Sequence, residues 1–162
     1  MRTIKFRGKK VTNGVWAYGS LVYLDENGAA IYVQTDNGSA KVMDLVYVAP
    51  DTVCQFTGLL DKNGKEIYEG DVLRSDNFPY RNKKQDKYYA VVYYCEKAAC
   101  FGIVMVKNTS SSSWGVLDGD IDGIDREKMQ DFEVIGNVHD LEWKQYREYI
   151  QEEDEEQRHE LS

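Results

Sequence analysis

The sequence predicts a mostly β protein: an antiparallel meander and partly open small β-barrels, finished by a C-terminal α-helix. Three observations carry this prediction. Four Asn-Gly pairs, at 13-14, 27-28, 37-38 and 63-64, punctuate the first 64 residues, and Asn-Gly suits tight hairpin turns that need φ > 0. Between and beyond the pairs lie short runs of β-branched and aromatic residues with period-two alternation. Only the last stretch, from Leu141 onward, carries a sustained helical repeat.

Taken in order, Thr3 to Lys10 alternates through Ile4 and Phe6. Val15 to Tyr23 is rich in aromatic and β-branched residues. Ala30 to Thr35 places Ile31 and Val33 on one face, and Lys41 to Val48 groups Val42, Val46 and Val48. Thr52 to Thr57 leads into QFTGLLDKNGKEIYEGDVL (Gln55 to Leu73), where Asn63-Gly64 is expected to form a two-residue turn and Val72-Leu73 a strand. Tyr88 to Cys95 and Cys100 to Val106 are two further strands around a turn at Lys97-Ala98. Arg126 to Gln130 suits one helical turn ahead of a strand in Phe132 to Val138. Asp140 is placed to cap the final helix, whose apolar face is Trp143, Tyr146, Tyr149 and Ile150.

The expected organisation is one β domain over residues 1-140, or two packed subdomains over about 1-60 and 61-140. Residues 141-162 then form an acidic helix and tail. The net charge is −8. Eight acids against three basic residues give the last twenty-two positions −5, leaving −3 for the rest, so the body is close to neutral. Such a charge block marks a solvated helix face or a tail. Cys54, Cys95 and Cys100 form no CxxC pair, and they are expected to be reduced thiols. No apolar stretch has the length of a signal core or a membrane span. The chain is therefore expected to be cytoplasmic, with no membrane partner.

KFRGK (Lys5 to Lys9), NGVWAYGSL (Asn13 to Leu21), QFTGLLDKNGKEIYEGDVL and FEVIGNV (Phe132 to Val138) together resemble the YopX-type proteins of phages and prophages, from Lys5 to about His139. The resemblance implies a small, mostly β, phage-encoded protein, and it assigns no catalytic residue. Every part of the central motif also has a folding explanation. Gly58, Gly64 and Gly70 suit positive-φ or tightly approached positions. Asp61 and Asp71 can accept hydrogen bonds from nearby backbone, and Phe56, Leu59, Ile67 and Val72 suit a core. The long loop at 75-87, the Ser-rich loop and the tail lie outside the quoted motifs.

Asp118, Asp120 and Asp122, with Gly123, match positions 1, 3, 5 and 6 of a calcium-binding loop. Position 12, where a bidentate Glu is required, is Met129. The plain alternative is a solvated Asp/Gly loop, and no cofactor is expected. A second candidate is basic: Arg74, Arg81, Lys83, Lys84 and Lys87, interleaved with Tyr80 and other aromatics, and a further run of Arg2, Lys5, Arg7, Lys9 and Lys10. Small β folds hold single strands by pairing a basic groove with stacking aromatics. The alternative is a polar loop beside core aromatics. For catalysis the chain offers His139, His159 and three scattered Cys, without a triad, a phosphate loop or a cofactor fingerprint. The expected function is thus a non-enzymatic accessory module that self-associates or meets a host or phage protein. The rival is a nucleic-acid-binding regulator that uses segments 2-10 and 74-87, with the acidic tail able to mask a basic groove.

Overall fold

The structure is a computed structural model, and it describes residues 2-25, 28-36, 41-76, 87-108 and 122-146. The chain divides into two compact units, Met1–Gly58 and Leu59–Ser162.

The first unit holds β1 (Phe6–Lys9), β2 (Trp16–Asp25), β3 (Gly28–Asp36), β4 (Lys41–Val48) and most of β5 (Cys54–Leu60). All neighbours are antiparallel, in the order β4-β3-β2-β1-β5. The meander expected from the Asn-Gly spacing is therefore present. Its long strand β2 serves two partners: the first half faces β1 from Lys9↔Trp16 to Phe6↔Gly19, and the second half faces β3 from Ser20↔Tyr32 onward. Gly19 sits at the change of partner. A Cβ there would lie 2.1 Å from the Tyr32 carbonyl oxygen, so only glycine lets β3 approach this closely.

This sheet curls without closing. The end of β4 reaches the end of β1 through the Lys10↔Val48 bridge, with Ala49 N–H donating to Lys9 O at 2.9 Å and Val11 N–H to Tyr47 O at 3.2 Å. Among the described residues neither sheet forms a closed barrel. The inner face carries Ala17, Ala29, Ile31 and Val48, with Phe6, Leu21, Val33, Val46 and Val53 packed against them.

The second unit contains β6 (Glu66–Tyr68) and an antiparallel sheet in the order β10-β9-β8-β7-β11. Its strands are β7 (Asp71–Ser75), β8 (Tyr88–Cys95), β9 (Cys100–Asn108), β10 (Asp122–Gly123) and β11 (Glu133–Asn137). Alternation sends Val72, Val91, Tyr93 and Val104 into one cluster and Leu73, Ala90, Val92 and Ile103 into another. Both faces of the sheet are thus covered, which explains why β8 is apolar almost throughout. Met129, in the short 3-10 turn at Lys128–Asp131, and Phe132, just after it, complete the second cluster.

Two expectations need correction. The described part of the C-terminal segment is a 3-10 turn, Leu141–Tyr146, and residues 147-162, with Tyr149 and Ile150, lie outside the described residues. The Asp140 carboxylate accepts from Asn137 N–H at 3.1 Å, and the Asp140 backbone oxygen accepts from Trp143 N–H at 3.0 Å where the turn begins. Trp143 nevertheless packs on the first cluster. It covers Gly136, where a Cβ would lie 2.2 Å from its Nε1. The second correction concerns the turn at Asn63-Gly64. Gly64 has φ +78, but Asn63 does not have positive φ. Gly64 N–H donates to Asp61 O at 2.9 Å and Asp61 N–H to Lys65 O at 2.8 Å. The loop therefore has three residues, a turn from Asp61 followed by one left-handed glycine, which is the next most common hairpin closure.

Candidate nucleic-acid interface

The buried carboxylates of the central motif, Asp61 and Asp71, are occupied by the fold. The Asp61 side chain is buried. Its Oδ1 accepts from Asn63 N–H (2.8 Å) and Lys65 N–H (2.9 Å), while Oδ2 accepts from Val134 N–H (2.9 Å). One carboxylate thus orders the hairpin loop and fastens β11 beside it. Asp71, fully buried, accepts from Tyr68 N–H at 2.8 Å and from Asn137 Nδ2 at 3.2 Å. Asn137 also donates to Glu69 O and accepts from His139 N–H. Gly58, Gly64 and Gly70 have φ of +89, +78 and +71, and Phe56 is buried. The motif and the closing segment FEVIGNV form one hydrogen-bonded unit.

Arg74 lies opposite Glu133 in the β7–β11 ladder and pairs with its Oε1. Lys62 Nζ reaches Oε2 of the same carboxylate at 3.2 Å. Burial alone would raise the Glu133 carboxyl; the Lys62 hydrogen bond and the charges of Arg74 and Lys62 outweigh it and hold the group below its usual range. Arg74 is therefore engaged in a cross-strand ion pair. Lys87 is exposed, one residue before β8. Tyr80, Arg81, Lys83 and Lys84 lie outside the described residues, as do Asp118 and Asp120, and Asp122 is described only as backbone in β10. Among the described residues no group of three or more His, Cys, Asp or Glu is placed to hold a metal ion. Cys54 is buried in the first unit, where its Sγ donates to Thr52 O at 3.3 Å.

The other basic run is organised into a surface. Register pairs Arg7 with Tyr18 and Lys9 with Trp16, so these four side chains share the face of β1–β2 opposite Phe6, Gly8 and Ala17. The Arg7 Cζ lies 4.4 Å from the Trp16 ring centroid, Lys9 Nζ lies 5.2 Å from the same ring, and Lys5 Nζ lies 5.8 Å from that of Tyr18. All three are cation–π distances. Arg7 is only 5 % exposed, whereas Tyr18 is 42 % exposed. The first 24 residues contain five basic side chains and no acidic one. The run was legible as charge; its coupling to Trp16 and Tyr18 required the strand register.

The family model described as YopX protein matches residues 5–141. A search of curated proteins finds no significant match. Among solved structures, the crystal structure of protein EF1440 from Enterococcus faecalis is similar, with a TM-score of 0.51 and 19% sequence identity over 86% of this chain and 95% of that one. At that identity the likeness concerns the fold alone. A family match that runs from the first basic strand through the end of the β11 segment covers most of the chain, and on that ground the chain belongs to the YopX protein family.

Proposed function

We propose that this chain is a non-enzymatic binding module, and that its ligand is single-stranded nucleic acid held on the outer face of β1–β2. The observation that supports this reading is the basic–aromatic strip of Lys5 beside Tyr18 and Lys9 beside Trp16, with the buried Arg7 packed against the Trp16 ring. In such a strip the cations track phosphates while an exposed ring stacks a base, an arrangement tolerant of sequence. A locally positive face attracts a polyanion even when the whole chain is acidic. The phage or prophage setting implied by the sequence motifs fits an accessory role of this kind, in the cytoplasm.

The test is binding of labelled single-stranded oligonucleotides at several salt concentrations, for the native chain and for Lys5→Glu/Lys9→Glu. Each lost phosphate contact should flatten the slope of log K against log salt by about 0.7, so the double variant should lose roughly 1.4. Identical binding and slope in the two proteins would overturn the reading.

A second reading is favoured by one observation on β4. This strand is the edge of its sheet, with Met43, Leu45 and Tyr47 exposed at 46%, 42% and 58%. Tyr47 O already accepts from Val11 N–H, so alternation turns the backbone groups of Met43 and Leu45 toward the open edge as well. Such an edge is a template for another strand, here β4 of a second copy. A molar mass by light scattering that stays monomeric at high micromolar concentration would end this reading.

A further inference from the structure

We propose that Cys95 and Cys100 are a redox-responsive dithiol, oxidised to an intramolecular disulfide by a peroxide. The two residues oppose each other directly, as the last pair of the β8–β9 ladder before the turn at 96-99. Opposed Cα atoms in an antiparallel pair lie about 4.5–5.5 Å apart, inside the window of roughly 4.4–6.8 Å that a disulfide spans. Directly opposed side chains also share a face, the one carrying Val91, Tyr93 and Val104. Bond formation therefore needs no change of register and no movement of a second element.

The pair is asymmetric in a way that orders the chemistry. Cys100 is exposed and Cys95 is buried. The Cys95 Sγ accepts from Ala98 N–H at 3.4 Å, which holds it toward the turn that Cys100 closes. On the other face, Tyr94 and Phe101 pack edge to face, 5.3 Å between centroids, and clamp the same end of the hairpin. Cys100 meets the oxidant first: its thiolate attacks one peroxide oxygen, the O–O bond breaks, and hydroxide leaves as the sulfenic acid forms. The Cys95 sulfur then attacks the Cys100 sulfur, the S–OH bond breaks and the S–S bond forms. With the two thiol protons, the hydroxides leave as two waters. Two electrons pass from the thiols to the peroxide, and a dithiol reductant reverses the step.

Cys54 provides an internal reference, because it lies in the first unit and is buried. The experiment treats the full chain with dilute hydrogen peroxide, quenches it, and counts free thiols in denaturant together with the intact mass. Three thiols before treatment should fall to one, with a mass loss of about two hydrogens. A peptide linking Cys95 to Cys100 should appear, and dithiothreitol should restore all three thiols. Three outcomes would overturn the proposal: three thiols retained, oxygen added to Cys100 without loss of the Cys95 thiol, or a disulfide between two chains through Cys100. Cys54→Ser should leave the response unchanged. Cys95→Ser should divert Cys100 to oxygen addition, and because the decisive reading is made on the native chain, poor folding of that variant would not blunt the test.

Discussion

Replacing Asp61 tests whether the motif is a structural fastening. Its carboxylate accepts from three backbone N–H groups, two in its own loop and one, Val134, seventy-three residues later. A hydrogen bond to a charged group contributes about 1.5–3 kcal/mol, and the three cannot simply be added. Asn63 and Lys65 are exposed, so water recovers much of what their N–H groups lose. Asp61→Ala is then expected to cost the second unit about 3–4 kcal/mol, a large part of the 5–15 kcal/mol typical of a domain. Asp61→Asn separates the two jobs. Its amide oxygen can keep the two loop donors, but its NH2 group then faces the Val134 N–H, donor against donor, at a cost of about 2 kcal/mol. Urea unfolding followed by circular dichroism reads the totals, and amide hydrogen exchange reads the parts. Val134 should exchange fast in both variants, Asn63 and Lys65 only in the alanine variant. A loss below about 1 kcal/mol for Asp61→Ala, or a Val134 amide still protected in Asp61→Asn, would refute the reasoning.

Three other outcomes are expected. Gly19→Ala should destabilise the first unit by about 1–3 kcal/mol, since the new methyl meets a backbone carbonyl with little room to retreat; thermal melting checks it. Gly64→Ala should cost roughly 1–2 kcal/mol for a left-handed alanine, measurable by urea unfolding with the slope unchanged. Glu133 titrates below its usual value of 4.5 in the folded chain, so its contribution is complete above that pH and is lost as pH falls through the lowered value. Glu133→Gln should flatten the acid limb of the stability–pH curve below about 4.5, and an unchanged limb would show that the ion pair contributes nothing.

The strands were legible where alternation was clean. Lys41–Val48 and Tyr88–Cys95 begin and end where the sequence placed them. The hairpin at Asn63-Gly64 was legible as a turn but not as a turn type, because Asp61 supplies a side-chain acceptor that draws the loop into the three-residue form. β6 and β10 are only three and two residues long, too short for any periodicity to announce them. The final segment had helical spacing, yet in the described part Trp143 is held by Gly136 and the clustered side chains of one sheet face, which favours a tight turn close to β11. Charge in the first ten residues was visible at once. What the basic side chains lie over was not, because Trp16 and Tyr18 come to them through the register of two strands. Cys95 and Cys100 were likewise placed on neighbouring strands, and only the pairing of β8 with β9 set them opposite one another.

The dependence of β7 on β11 also has a consequence during synthesis. β7 ends at Ser75 and β11 begins at Glu133, so the ribosome adds nearly sixty residues between the two halves of that ladder. At about 5–20 residues per second this takes roughly 3–12 s. All five strands of the first unit have been made before that interval opens, and four of them, β1 to β4, pair as sequence neighbours with only short loops to close. The nascent second unit meanwhile carries β7 with one edge unsatisfied and Asp61 and Asp71 without their distant partners. β11, the last of the described strands to be made, therefore acts as a completion signal: until FEVIGNV leaves the exit tunnel, the ladder that closes on β7 cannot form.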